Sequence, residues 1–139
     1  MAVHVLTVLA YKEGDRVTST FLAGSVNTNP VIVRRLLLDL QRARLIETTK
    51  GAGAGSRLSR SPSRINLAEV FRAVEELETF GRPSGKPNQA CPVAQCMREE
   101  LDRVFASARA ALERDLERTK LADLMTAARA CACGDQKAA

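Results

Sequence analysis

The chain has 139 residues, with 21 Lys and Arg against 16 Asp and Glu, a formal charge of +5. Hydrophobic residues make up 45% and charged ones 27%, which excludes a disordered chain and suits one domain with an appendage. Aromatics are 4% with no Trp, so the core must be aliphatic, and no apolar run nears the ~18 residues of a membrane span.

In chain order, residues 2–12 read as a helix, with Val3, Leu6, Leu9 and Ala10 on one face. Glu13-Gly14-Asp15 breaks it. Thr18 suits the N-cap of a short second helix through Ser25, with Phe21 and Leu22 inward. Asn29 and Pro30 are a good cap and first residue for a third helix to about Arg44. Its buried stripe is Val33, Leu36, Leu37 and Leu40, and Arg34, Arg35, Leu38 and Arg42 fall outside it. Two helices joined by a short turn, the second bearing exposed arginines, describe a helix-turn-helix.

Residues 45–49 and 56–59 then read as two strands around the turn Lys50-Gly51-Ala52-Gly53-Ala54-Gly55. A hairpin after a helix-turn-helix is a wing, and its glycines supply the turn conformations. No Gly-Lys-Ser/Thr opens a helix here, so a nucleotide-binding loop is not expected. Asn66 caps a fourth helix, Leu67 to Glu78, with Val70, Phe71, Val74 and Leu77 inward. Residues 81–91 are a Gly/Pro connector. A long helix follows from Pro92 to Arg118, on which Met97, Leu101, Val104, Phe105, Ala108, Leu112 and Leu116 recur at steps of three and four. At about 37 Å it exceeds the small domain before it, and pairing with a second copy would bury its stripe. Thr119 is placed to cap a final helix to Arg129. The expected organisation is mainly α with a small β-wing: a winged helix-turn-helix domain over 1–80, the connector 81–91, the dimerisation and final helices over 92–130, and a cysteine-bearing tail over 131–139.

The charge is not spread evenly. Residues 34–64 hold eight basic groups against Asp39 and Glu47, a net +6; residues 1–33 balance to zero and 65–139 to −1. A compact basic block on a folded domain points to a polyanion, most often nucleic acid. The single histidine, His4, argues against a His-based triad, and it reads as a packed or solvated residue of the first helix. Glu75-Glu76 and Glu99-Glu100 read as helix-surface charges. No nucleophile, base and acid come together in the sequence, so an enzyme is not expected.

Several segments occur in a telling order: Ala2-Val3-His4-Val5-Leu6, Ser25-Val26-Asn27-Thr28-Asn29-Pro30-Val31, Arg34-Arg35-Leu36-Leu37, Gly51 through Gly55, Ile65-Asn66-Leu67-Ala68-Glu69-Val70-Phe71-Arg72-Ala73-Val74-Glu75, and Cys91-Pro92-Val93. Together they resemble the Rrf-type winged-helix transcription factors, over about residues 2–125. That family includes an iron–sulfur cluster regulator, a nitrite-sensitive repressor and a cysteine-metabolism repressor. The resemblance implies a homodimeric bacterial DNA-binding regulator, usually a repressor, dimerised through the long helix. Relatives usually carry a further polar and basic segment before the first helix. Lys50 stands where relatives often have Arg, and Ala54 and Ser56 replace a usual Gly and Tyr. Cluster-binding relatives show three cysteines, whereas only Cys91 and Cys96 stand here, with Val104 and Phe105 near the third position.

The expected interface with double-stranded DNA is Thr28, Asn29, Val31, Arg34 and Arg35 on the recognition helix, with Lys50, Gly51, Gly53 and Arg57 on the wing. An open helix N-terminus suits a phosphate, and arginine can read guanine in the major groove. Wing cations suit the backbone or the adjacent minor groove. The dimer interface is expected on Met97, Leu101, Val104, Phe105, Ala108, Leu112 and Leu116. Cys91 at the start of the long helix and Cys96 are candidates for redox sensing. No cofactor is expected. An iron–sulfur or metal site is the alternative, drawing on Cys91, Cys96, Cys131 and Cys133, although Cys-x4-Cys and Cys-x-Cys are not standard zinc-finger spacings. Another alternative is an interaction module that docks on a metabolic enzyme, or a regulator with a small-molecule or enzyme co-regulator. Neither a signal peptide nor a membrane partner is expected, and the expected location is cytoplasmic.

Overall fold

The computed structural model describes residues 1–12, 14–74, 88 and 90–135. Helix α1 (Ala2–Tyr11) buries Ala2, Val5, Leu6, Leu9 and Ala10, the spacing of one helical face. Helix α2 (Ser19–Val26) starts where the Thr18 hydroxyl accepts the Phe21 N–H at 3.2 Å. It stops at Asn27, whose φ of 55° lies in the left-handed region. There Asn27 N–H donates to Gly24 C=O and Thr28 N–H to Ala23 C=O, the paired bonds of a Schellman end. Helix α3 (Pro30–Arg42) begins two residues later, with Asn29 Oδ1 accepting the Val31 N–H at 2.8 Å. It buries Val33, Leu37 and Leu40, with Leu36 partly covered.

The end of α3 repeats the device. Arg44 takes φ 56°, its N–H reaches Gln41 C=O at 2.9 Å, and Leu45 N–H reaches Leu40 C=O at 3.0 Å. Leu40 and Leu45 are both fully buried, supplying the apolar contact that accompanies such an end. The chain turns directly into β1 (Ile46–Thr49), antiparallel to β2 (Gly55–Leu58), with Ile46 opposite Leu58 and Thr49 opposite Gly55. Between them Ala54 N–H closes a turn on Gly51 C=O at 3.0 Å, with Gly51 at φ 88° and Gly53 at φ 78°. Val17 adds a third rung by exchanging two 2.9 Å hydrogen bonds with Ser56. The wing is thereby fastened to the segment that leads into α2.

A short 3-10 turn (Pro62–Arg64) precedes α4 (Leu67–Val74). Asn66 Oδ1 accepts the Glu69 N–H and Glu69 Oε2 accepts the Asn66 N–H, a reciprocal capping box. Ala68 and Val70 are buried and Phe71 is half-buried. Helix α5 (Pro92–Leu116) packs along α4, and α6 (Leu121–Asp135) returns to α1 and the 3-10 turn. Leu121 is fully buried and donates its N–H to Ile65 C=O, while Leu67 N–H donates to Thr119 C=O. Asp123 accepts the Lys120 N–H at the start of α6.

Three expectations are corrected. Phe21 does not point inward: it is 51% exposed and lies under the Lys12 ammonium, 5.3 Å from its ring centre. The eight-residue α2 turns only Leu22 and Ala23 into the core, so its first turn has no buried face left for Phe21. Val74 is also exposed, at the last described turn of α4. Of the tail expected over residues 131–139, residues 131–135 are helical instead, since α6 runs on to Asp135 through an alanine-rich stretch of high helix propensity. Leu77, Glu75-Glu76 and residues 81–87 of the connector lie outside the described residues.

Candidate nucleic-acid interface

With Val33, Leu37 and Leu40 in the core, helical geometry turns the opposite side of α3 outward. Val31 (63% exposed), Arg34, Arg35, Leu38 and Arg42 all lie there. Thr28 is half-buried, and the Asn29 side-chain oxygen is committed to the helix start. The two adjacent arginines separate. Arg34 leans toward the start of α2, where its Nε–H donates to Ser19 Oγ at 3.3 Å. It lines a cleft of about 510 Å³ between α3 and the wing, with Ser19, Leu38, Gln41, Thr48 and Lys50. Arg35 lies on the other flank, in a groove of about 960 Å³ with Ile32, Asp39, Arg42 and Val74. The cleft joins the recognition helix to the wing; the groove lies between α3, the start of α1 and the end of α4.

The wing crest carries Lys50, Gly51 and Gly53, all exposed. Arg57 lies on β2 opposite Glu47 and donates from Nε and an Nη to one carboxylate oxygen at 3.1 and 2.9 Å. Both side chains are about half exposed, and such a surface pair contributes little to stability. Arg57 can therefore trade this partner for a phosphate. Two other members of the basic block are also paired: Arg42 with Asp39 at 3.1 Å and Arg60 with Glu69 at 2.7 Å. Arg60 is turned toward α4 and acts within the fold. Burial pushes the Glu69 carboxyl up, but the Arg60 hydrogen bond, the Asn66 N–H and the charges of Arg60 and Lys120 outweigh it, so it stays below the usual carboxylate range. Of the basic block, Arg34, Arg35, Arg44, Lys50 and Arg64 are all exposed.

Sequence reasoning did not single out Ser19, Gln41 or Thr48. Gln41 had a readable signal, since it sits seven residues after Arg34 on the same helical face. Ser19 and Thr48 reach the cleft only because the wing folds back on α2 through the Val17–Ser56 rung.

On α5 the expected dimer residues divide. Met97 (52%), Leu101 (44%), Val104 (58%) and Leu112 (40%) are exposed, as is Ala108, while Phe105 and Leu116 are half-buried. Residues 97, 101, 104, 108 and 112 form one stripe. Phe105 and Leu116 flank it, on the side where Arg109 and Glu113 pair with each other and Glu113 meets α4.

Cys91 is half-buried at the N-cap of α5, while Cys96 and Cys131 are exposed and Cys133 lies on α6. Five residues along a helix rise about 7.5 Å, outside the usual Cα separation of a disulfide. Among the described residues no group of three or more His, Cys, Asp and Glu could hold a metal ion. The thiols described here do not fit a cluster or zinc site within one chain. His4 donates to or accepts from Ser25 Oγ at 3.1 Å, an exposed tie between α1 and α2. Among the described residues no helix is long and apolar enough to cross a membrane.

Comparison with known proteins identifies the family and the fold. The chain matches the profile of the Rrf2 family, described as an iron-dependent transcriptional regulator, over residues 1–127. It is 36% identical over 125 residues to YwnA of Bacillus subtilis (strain 168), provisionally named as an HTH-type transcriptional regulator; the match covers 90% of this chain and 92% of that one. A crystal structure provisionally described as a DNA-binding protein superposes with a TM-score of 0.70 at 36% identity, covering 89% of this chain and 95% of the other. The CymR cysteine regulator of B. subtilis shares the fold at a TM-score of 0.62 and 23% identity, with 90% of each chain covered. This chain belongs to the Rrf2 family of winged helix-turn-helix regulators, and it is a DNA-binding transcriptional regulator rather than an enzyme.

Proposed function

We propose that this regulator is a cytoplasmic homodimer that binds a palindromic operator in duplex DNA and acts as a repressor. The observation that carries the reading is the cleft shared by Arg34 of α3 and Lys50 of the wing. A strand of the duplex passing over that cleft meets α3 in its major groove and the wing crest at the adjacent backbone or minor groove. Arg34 and Arg35, on opposite flanks of α3, reach different bases or phosphates. Thr28, Asn29 and Val31 approach the groove from the helix start. Lys50, Arg57 and the N–H groups of Gly51 and Gly53 hold the backbone. The stripe Met97, Leu101, Val104, Ala108 and Leu112 is covered by the same stripe of a second copy, with Phe105 and Leu116 at its margin. Two-fold symmetry in the protein then requires two-fold symmetry in the operator. Repression needs only occupancy of a promoter, which a DNA-binding dimer supplies by itself.

Selection of binding sites from a random duplex library tests this reading. The expected product is one inverted repeat bound by two protomers. Recovery of no enriched duplex overturns it. For the signal, exposure at Cys96 and partial exposure at Cys91 support oxidation of thiols on α5. A Cys91→Ser/Cys96→Ser chain is expected to bind DNA equally before and after peroxide, whereas the natural chain changes. A chain that responds to peroxide without either thiol contradicts this assignment.

A further inference from the structure

If two reading heads are to meet two half-sites, each head must sit at a fixed angle to the helix that pairs the copies. Among the described residues, a backbone joint and a side-chain cluster tie α5 to its own head. At the foot of α5 the backbone is zipped: Leu67 N–H donates to Thr119 C=O at 3.1 Å and Leu121 N–H to Ile65 C=O at 2.9 Å. That joint fixes where the helix is attached but leaves its tilt to contacts higher up. Those contacts include Arg72 of α4. Its Nε–H donates to Glu113 Oε2 at 2.7 Å and an Nη–H to Glu117 Oε1 at 2.9 Å. Arg109 donates to the second Glu113 oxygen at 3.0 Å and lies 5.9 Å from the Phe71 ring centre, so the same carboxylate is gripped from both helices.

We propose that Arg72 is a positioning residue: its fork on Glu113 and Glu117 is a strut that sets the spacing between the two reading heads, and so the operator spacer the protein accepts. The proposal rests on the homodimer reading above. The lever is long. From Glu113 back to Val93 the helix runs about 30 Å, so a tilt of about 10° at the strut moves the far end about 5 Å. That exceeds the ~3.4 Å rise of one base pair. The planar guanidinium fork resists such a tilt in a way a single ammonium cannot, because it engages two carboxylates one helical turn apart. Arg72 is 47% exposed, Glu117 49% and Glu113 19%; all three stay in contact with water at the α4–α5 junction, so the fork adds only modestly to the stability of the fold. Removing the strut is therefore expected to change the angle and leave the head intact.

The test is selection from a random duplex library with the full chain, run in parallel for the natural sequence, Arg72→Ala, Arg72→Lys, Glu117→Gln and Arg103→Ala. Arg103 pairs along its own helix with Glu100 at 3.2 Å and serves as the charge control. The natural chain and Arg103→Ala are expected to select one half-site word at one dominant spacer. Arg72→Ala is expected to select the same word over several spacers, its discrimination against a one-base-pair change falling at least about threefold. Arg72→Lys and Glu117→Gln fall between. If Arg72→Ala keeps the natural spacer profile, the strut proposal is overturned; if that variant does not fold, an unchanged profile for Glu117→Gln overturns it. A natural chain that sediments as a monomer and selects single half-sites overturns the dimer reading itself, and that pattern shows in the unsubstituted protein alone.

Discussion

Replacing Gly55 by alanine should loosen the wing more than any other change of one methyl group on it. A Cβ at this position would lie 2.9 Å from both the backbone C and the Cβ of Arg16, and 3.0 Å from the Val17 amide nitrogen. Those are backbone and near-backbone atoms, so the strand must move by several tenths of an ångström. The motion acts on the rung where Val17 and Ser56 exchange two 2.9 Å hydrogen bonds. Overpacking of this kind costs about 1–3 kcal/mol, and weakening the two bonds adds about 1 kcal/mol. The entropic gain of Gly→Ala in the unfolded chain, about 0.4–1 kcal/mol, offsets part of it. The expected loss is about 2–3 kcal/mol in urea unfolding followed by circular dichroism. Gly24 provides the opposite sign in one experiment. It lies in α2 with nothing within 4 Å of its virtual Cβ, so Gly24→Ala should gain about 0.5–1 kcal/mol. Equal stability of Gly55→Ala and the natural chain would refute the argument that β2 touches the Arg16–Val17 backbone.

Three further outcomes follow from the same structure. Because Glu69 is held below the usual carboxylate range, its contribution is complete above the ordinary glutamate value of about 4.3 and is lost as pH falls through the lower folded value. Glu69→Gln should therefore be less stable than the natural chain at neutral pH, with the gap closing in acid unfolding curves. Arg44→Gly should raise stability by about 1 kcal/mol, since it removes a side chain from a left-handed backbone, while operator affinity falls with the lost cation. Leu101→Glu should leave each protomer folded and shift sedimentation toward the monomer. Two leucines at about 1.5 kcal/mol each correspond to about a hundredfold in the dimer Kd.

What could be read in the sequence was what one segment decides by itself. Thr18, Asn29 and Asn66 were legible as caps because each bonds an N–H two or three residues onward. The wing was legible because glycines mark its turn. Phe21 misled because an aromatic residue next to Leu22 suggests a core position, whereas its partner is Lys12 across a loop. Arg60 counted toward the basic block in the sequence, yet Glu69 takes it into the fold from nine residues away. Arg34 and Arg35 were legible as an exposed pair but not as residues on opposite flanks, because the flanks are defined by the wing on one side and by α1 and α4 on the other. The Val17–Ser56 rung joins segments 39 positions apart in the chain, and no local pattern announces it.

The central claim is that duplex DNA is held by the exposed side of α3 together with the wing. Fluorescence anisotropy of the selected duplex, titrated with the natural chain, Arg34→Ala, Arg35→Ala and Arg118→Ala at two salt concentrations, tests it most directly. The account predicts a loss of at least about tenfold for each of the first two, near-natural binding for Arg118→Ala, and affinity that falls steeply with salt. Equal affinities across all four proteins, or binding indifferent to salt, would contradict it.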